Sequence, residues 1–322
     1  MPVPQGDLIH ELPDRRQLGY CCYGDREGHV VITLHGTPGS RLKFAVADGE
    51  AKRLGLRLIS PDRWGYGLSE APRTRAELAD YAADIDSLLG ELGVERFSVV
   101  GVSGGGPYAA AVAAVFGDRV SGLALVAPVA PVDRADRRQG VGVFHQFAFR
   151  VLPRLPGCIA LVFSGFRGLL AVAPWLAIQT IAVRAGRADR ALLSEREISA
   201  DLAESFRAGL ARDVRGPQID MTLFSGDWKL DLASVAGRSR MWLGRQDRNI
   251  PLAAARKVAS AIPRLELIEI DNAGHYWIVR NYSDVLGWIA GGIGVDGGMR
   301  DSKHAGCEQA GCEQAGPVQT IS

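Results

Sequence analysis

The segment Gly101-Val102-Ser103-Gly104-Gly105 places a serine among small residues. It follows the apolar, β-branched run Phe97-Ser98-Val99-Val100 and precedes good helix formers from Ala109 to Ala114. This spacing predicts a strand, a very tight turn and a helix, with Ser103 at the tip of the turn. Small flanking residues let the chain fold sharply, because a bulky side chain at Gly101 or Gly105 would clash with the adjacent strand or helix. The serine oxygen then stands clear of the sheet edge beside backbone N–H groups of the helix start, which suits a nucleophile. Glycine-rich turns of this kind also bind phosphate or serve structure alone. The segment is not G-x-G-x-x-G, because Ser103 occupies the second glycine position, and no Gly-Lys-Ser/Thr follows as a Walker A loop requires.

Acyl transfer by serine needs a base near the oxygen, an acid to orient that base and donors for the oxyanion. Asp247 follows the predicted strand Arg240-Met241-Trp242-Leu243, and His275 follows the next, Leu265 to Ile270. Both have rivals. Asp133 follows an earlier strand, and Asp247 also reads as an N-cap of the helix after it. His35 competes with His275, although a histidine in its loop reads as a brace for the turn. His145 reads as a residue of the insertion, and His10, His29 and His304 as surface or edge residues. Asp62 and Arg63 read as locking their own loop. Tyr66 and Tyr108 fit either pocket lining or packing.

The elements that must position these residues alternate strand and helix. Strands are expected at 29–34, 56–60, 97–100 and 123–126, with helices around 41–54 and 77–91, and residues 8–24 read as a hairpin at the sheet edge. Short apolar strands alternating with helices indicate a parallel sheet, whose ligand sites lie at the C-terminal strand ends. From Pro131 to about Trp228 strand signals vanish and helical patterns replace them. The βα rhythm then resumes, with a helix over 252–261 and a last helix from about Tyr276 to Ile289. The expected organisation is a core over 1–130, a helical insertion over 131–228 placed across the strand ends, a second core segment over 229–292 and a disordered tail over 293–322. Ala-Gly-Cys-Glu-Gln occurs twice in that tail, at 305–309 and 310–314; its Cys-x4-Cys pair beside His304 is read as a repeat, not a metal site.

The chain has 322 residues, 47% hydrophobic and 23% charged, with a formal net charge of +1. No global field favours nucleic acid or an anionic membrane, so no nucleic-acid partner is expected. Residues 1–7 lack a basic, then apolar, leader, and the five cysteines do not form a disulfide framework. Neighbours Cys21 and Cys22 would point to opposite faces of a strand. Reduced thiols and a cytoplasmic location are expected. The histidines are scattered, and no metal and no cofactor is expected. Leu155 to Val183 is very apolar but is broken by Gly157, Arg167, Gly168 and Pro174. It reads as amphipathic or buried helix, with peripheral membrane contact the lesser alternative. Oligomeric state is not set by the sequence.

From about residue 8 to 290 the chain resembles α/β-hydrolase-fold proteins. The segments that carry the resemblance are His35-Gly36-Thr37-Pro38-Gly39, Asp62-Arg63-Trp64-Gly65-Tyr66-Gly67-Leu68-Ser69, Gly101 to Gly105, Gly244-Arg245-Gln246-Asp247 and Ala273-Gly274-His275. They stand in the family's order, with nucleophile, acid and histidine in sequence. The resemblance implies a mostly parallel eight-stranded sheet flanked by helices, with an inserted helical cap. It implies Ser103 as nucleophile, His275 as general base and then acid, and Asp247 as the group that orients the imidazole. The backbone N–H groups of Gly104 and Thr37 would hold the oxyanion; Pro38 and Pro61 have none to offer.

Dehalogenases and epoxide hydrolases of this fold use an aspartate nucleophile, where this chain has Ser103. Proline-iminopeptidase-like members typically carry tryptophan after the serine, where this chain has Gly104. They also hold a free amine with cap acids. Here Glu195, Glu197, Asp201 and Glu204 stand at helical spacing beside arginines and read as a solvated face. The expected function is a serine esterase acting on a small apolar ester or acyl substrate. The alternatives are a cofactor-free haloperoxidase-like or C–C-bond hydrolase, a proline-iminopeptidase-like peptidase and a non-catalytic small-molecule receptor on the same fold.

Overall fold

The structure, a computed structural model, describes residues 5–131 and 154–296. Eight strands form one sheet in the order β1-β2-β4-β3-β5-β6-β7-β8. They are β1 (Gln5–Glu11), β2 (Gln17–Gly24), β3 (His29–Leu34), β4 (Leu56–Pro61), β5 (Phe97–Val102), β6 (Val120–Val126), β7 (Arg238–Gly244) and β8 (Leu265–Ile270). The hairpin β1–β2 is antiparallel and joins β4 antiparallel; β4, β3, β5, β6, β7 and β8 run parallel.

The parallel strands are near-continuous apolar runs because both faces are covered. Ile32, Val99, Leu123 and Met241 enter one hydrophobic cluster, while Val31, Val100, Ala124 and Trp242, each one residue away, enter the cluster on the opposite face. Cys21 and Cys22 divide in the same way between the two clusters. The chain leaves β3 for β4 on one side and returns to β5 on the other. The loops after β3 and β5 therefore diverge and leave a crevice at their C-terminal ends. Register brings Leu34 opposite Gly101, so the loop beginning at His35 and the turn carrying Ser103 start side by side.

The helix Gly105–Phe116 is alanine-rich and buried from Gly105 to Ala113. Its small side chains let it lie close to the sheet: a Cβ on Gly101 would sit 2.6 Å from Ala109 Cβ. Between β6 and β7 the described residues form five α-helices, Pro156–Val172, Pro174–Ala182, Arg187–Leu193, Arg196–Gly209 and Arg215–Ser225. None of the described helices is long and apolar enough to cross a membrane.

Two elements differ from expectation. Residues 41–54 divide into a 3₁₀ segment, Arg41–Ala47, and a short α-helix, Asp48–Arg53. Asp48 bonds the Gly24 N–H at 2.9 Å and so pins the second piece to β2. The last helix does not start at Tyr276. Trp277–Arg280 is a 3₁₀ turn closed by Asn281, and the α-helix runs from Tyr282 to Asp296, past the expected end near 289 and into the segment expected to be a tail. Asp133, His145 and His304, and the paired-cysteine repeat, lie outside the described residues.

Candidate active site

Ser103 takes φ +52°, a left-handed conformation that a non-glycine residue holds only under surrounding constraint. That constraint is a set of backbone bonds. The Ser103 N–H donates to Val126 O at 2.9 Å, and its carbonyl accepts from Gly106 and Val129, each at 2.9 Å. The turn is thereby tied to the end of β6 and the hydroxyl points away from the sheet.

His275 comes from the loop after β8. Its Nε2 lies 2.9 Å from Ser103 Oγ and its Nδ1 lies 2.8 Å from Asp247 Oδ2. Asp247, from the loop after β7, is buried; its other oxygen accepts the Asn249 and Ile250 N–H groups at 2.7 and 2.9 Å. The helix that follows is capped by Pro251, so Asp247 faces the imidazole and does not serve as its N-cap. Burial alone would depress the His275 pKa. The Asp247 charge and hydrogen bond outweigh it, and the net shift is upward from the ordinary histidine value.

Thr37 and Gly104 meet across the crevice: a Cβ on Gly104 would lie 2.1 Å from Thr37 Oγ1 and 3.2 Å from Thr37 N. Among the described residues neither backbone N–H donates to a protein acceptor. These are the two groups expected to hold an oxyanion.

His35 does not compete for the serine. It is fully buried, its Nδ1–H donates to Gly36 O at 2.8 Å and its Nε2 accepts the Arg63 N–H at 3.0 Å. Burial, then the nearby Arg63 charge, pushes its pKa well down, so it is a neutral brace. Asp62 locks its loop by accepting from the Arg41 and Leu68 N–H groups at 2.6 and 2.9 Å. Tyr66 and Tyr108 are buried, and their hydroxyls donate to Asp220 at 2.7 and 2.9 Å.

Two acids of the insertion matter that the sequence reading passed over. Asp189 accepts the backbone N–H groups of His275 and Tyr276 at 2.8 and 2.9 Å. Asp220 pairs with Arg63 through both oxygens and also accepts the Thr37 hydroxyl. The signal was present. Asp220 shares its buried face with Gly216, Pro217, Met221 and Phe224, an acid at apolar-face spacing. By contrast, Glu195 and Glu204 pair with Arg280 and Arg207 on the surface.

A second Ser/His/acid cluster shows why three distances are not enough. His10 bonds Ser87 Oγ at 2.7 Å through Nε2 and Glu91 through Nδ1. Ser87 lies in mid-helix, within Tyr81–Glu91, where the neighbouring N–H groups are held in the helical ladder. No donor pair is left for an oxyanion there.

Ser103 and His275 open into a cavity of about 340 Å³. Its walls are Val129, Phe163, Phe166, Ile181, Phe206, Met221, Phe224 and Ile250, with Thr37, Asn249 and Tyr276 as the polar groups near the chemistry. No Asp, Glu, Lys or Arg among the described residues lines it. The insertion supplies most of the apolar wall and the strand-end loops supply Ser103, Asp247 and His275.

Residues 29–157 match the family model described as the alpha/beta hydrolase fold. Among curated proteins, a non-heme chloroperoxidase of Streptomyces lividans is 34% identical over 125 residues, 37% of this chain and 44% of that protein. The match thus spans less than half of that relative's length. A 2-hydroxymuconate semialdehyde hydrolase of Pseudomonas putida is 25% identical over 259 residues, 78% of this chain and 82% of that protein. Among solved structures, a bromoperoxidase from Bacillus anthracis superimposes with a TM-score of 0.66 at 19% identity, covering 90% of this chain and 100% of that one.

Proposed function

Because the chain belongs to the α/β-hydrolase fold superfamily, we propose that it is a serine hydrolase. In this reading it cleaves an ester or related acyl bond of a small apolar molecule. The observation that carries the reading is the unbroken chain of hydrogen bonds from Ser103 through His275 to Asp247, opening beside two free N–H groups into an apolar cavity.

The geometry sets the order of events. Neutral His275 donates its Nδ1–H to Asp247 and accepts the Ser103 proton at Nε2 as Oγ attacks the substrate carbonyl. Charge develops on the carbonyl oxygen, where the Thr37 and Gly104 N–H groups receive it. The imidazolium then returns its proton to the departing alcohol, leaving an acyl group on Ser103. A water, deprotonated by His275, attacks that acyl carbon, and the acid departs as the imidazolium returns that proton to the Ser103 oxygen. The four phenylalanines Phe163, Phe166, Phe206 and Phe224 favour an uncharged aliphatic or aryl group.

Among the described residues no carboxylate lines the cavity to receive a free amine, which speaks against a peptidase of the iminopeptidase kind. A non-catalytic receptor has no use for the buried Asp247–His275 pair. A C–C-bond hydrolase is the second reading, favoured by the match across 82% of the Pseudomonas putida hydrolase. It would use the same three residues. The test is turnover of p-nitrophenyl esters of short and medium acyl chains beside a vinylogous diketone. Ester turnover that falls by at least about 10⁴-fold in Ser103→Ala supports the proposal. Equal turnover in wild type and variant overturns it, and turnover of the diketone alone selects the second reading.

A further inference from the structure

The Gly36 carbonyl is held from two directions. The His35 Nδ1–H donates to it at 2.8 Å and Arg63 NH2 at 3.0 Å. In a trans peptide the C=O and the following N–H point in opposite directions. Fixing Gly36 O toward Arg63 therefore turns the Thr37 N–H the other way, toward the serine turn, where Gly36 already lies close enough for an added Cβ to sit 3.2 Å from Ser103 Cβ. The direction of one oxyanion donor is thus set by His35 and by where the Arg63 guanidinium sits.

That guanidinium is placed by Asp220. Arg63 NH1 donates to Oδ1 at 2.6 Å and NH2 to Oδ2 at 2.8 Å, in a two-pronged pair with both side chains fully buried. The same carboxylate accepts the Thr37 hydroxyl at 2.5 Å, and that hydroxyl oxygen accepts from Arg63 at 3.1 Å. Tyr66 and Tyr108 fill its remaining sites at 2.7 and 2.9 Å. Asp220 therefore holds the donor residue twice, once directly through the Thr37 side chain and once through Arg63 and the Gly36 carbonyl. It belongs to the insertion, while every other member of the network belongs to the core.

We propose that Asp220, together with Arg63, is a positioning residue of the reaction: it orients the Thr37 N–H so that the inserted helices take part in building the oxyanion site. The inference rests on the serine-hydrolase reading. A carboxylate needed only to fasten the insertion to the core would not have to engage the donor residue by both routes. The arrangement also ties seating of the helix Arg215–Ser225 to completion of the site, because Met221 and Phe224 of that helix wall the cavity.

The test compares kcat and KM for a p-nitrophenyl ester, per active site titrated, with the affinity for phenylboronic acid, which forms a tetrahedral adduct on serine. Asp220→Asn and Thr37→Val are each expected to lower kcat at least about tenfold, since loss of a whole donor costs about 10²–10³-fold. KM should stay within about twofold, and boronate affinity should fall in proportion to kcat. Thr37→Ser should restore both. If Asp220→Asn does not fold, Thr37→Val alone decides. Folded Asp220→Asn, or folded Thr37→Val, with wild-type kcat per titrated site and wild-type boronate affinity overturns the inference while leaving the serine-hydrolase reading intact. Wild-type protein that neither turns over ester nor binds the boronate overturns both.

Discussion

The carboxylate of Asp189 accepts the backbone N–H of His275 at 2.8 Å, so the helical insertion grips the loop that presents the imidazole to Ser103. The neighbouring Tyr276 N–H is held by the other oxygen at 2.9 Å. The fit leaves no room to spare: a Cβ on Gly274 would lie 2.3 Å from the carboxylate. The imidazole is therefore held from two sides, through its ring by Asp247 and through its backbone by Asp189. Replacing Asp189 by alanine strands two buried donors, each costing about 1–3 kcal/mol. The variant should lose about 2–6 kcal/mol of stability in a urea titration. Its ester turnover should fall even where it remains folded. Wild-type stability and activity would show that the contact is dispensable.

The upward shift of His275 fixes a pH dependence. Only the neutral imidazole accepts the serine proton, so kcat/KM should fall as pH drops through a value above the ordinary histidine figure of 6.5. The sign for stability is opposite. A raised folded pKa contributes stability that is present in full below the unfolded value and is lost as pH rises through the folded one. Acid should therefore inactivate the protein while this group's contribution to stability is gained, not lost. Asp247→Asn removes the charge that raises the pKa, so the acid limb should move to lower pH and the plateau should drop by about 10⁴-fold. A pH–rate profile of each protein checks both, and a wild-type limb below pH 6.5 would contradict the assignment.

Gly105 is constrained by the sheet itself. A Cβ there would lie 2.2 Å from Leu34 O and 2.7 Å from His35 O, both backbone atoms that cannot swing aside. Gly105→Ala should cost at least about 1–3 kcal/mol as an overpacked core position. Thermal unfolding beside Gly49→Ala, which meets no atom within 4 Å, isolates the effect.

Phe166 walls the cavity and packs 6.2 Å, centroid to centroid, from Phe206. Phe166→Ala should lengthen the pocket and shift preference to longer acyl chains, with each methylene accommodated worth about 1–3 kcal/mol in kcat/KM. Unchanged ratios across a series of acyl lengths would place the acyl group elsewhere.

The strand ends were legible because each reactive residue sits where an apolar run meets glycine. Ser103, Asp247 and His275 all follow such runs, and parallel packing brings those ends to one edge. Thr37 was legible only through resemblance, since nothing in its residue type marks a backbone donor. The insertion was read as helical, but its two decisive acids were not found. Asp189 and Asp220 act through backbone and core partners distant in sequence, 86 residues for Asp189 to His275 and 157 for Asp220 to Arg63. Local spacing cannot show such pairings. It could show only that an acid shares a face with Met221 and Phe224, which already calls for a buried partner. The split of residues 41–54 was hidden for the same reason, because its cause is the Asp48 contact with Gly24.

We propose Ser103 as a nucleophile activated by His275. Labelling of the wild-type protein with a fluorophosphonate, followed by peptide mapping, addresses it most directly. One label is expected, on Ser103, abolished in Ser103→Ala and strongly slowed in His275→Ala. A label on another residue, or none on properly folded protein, would contradict it.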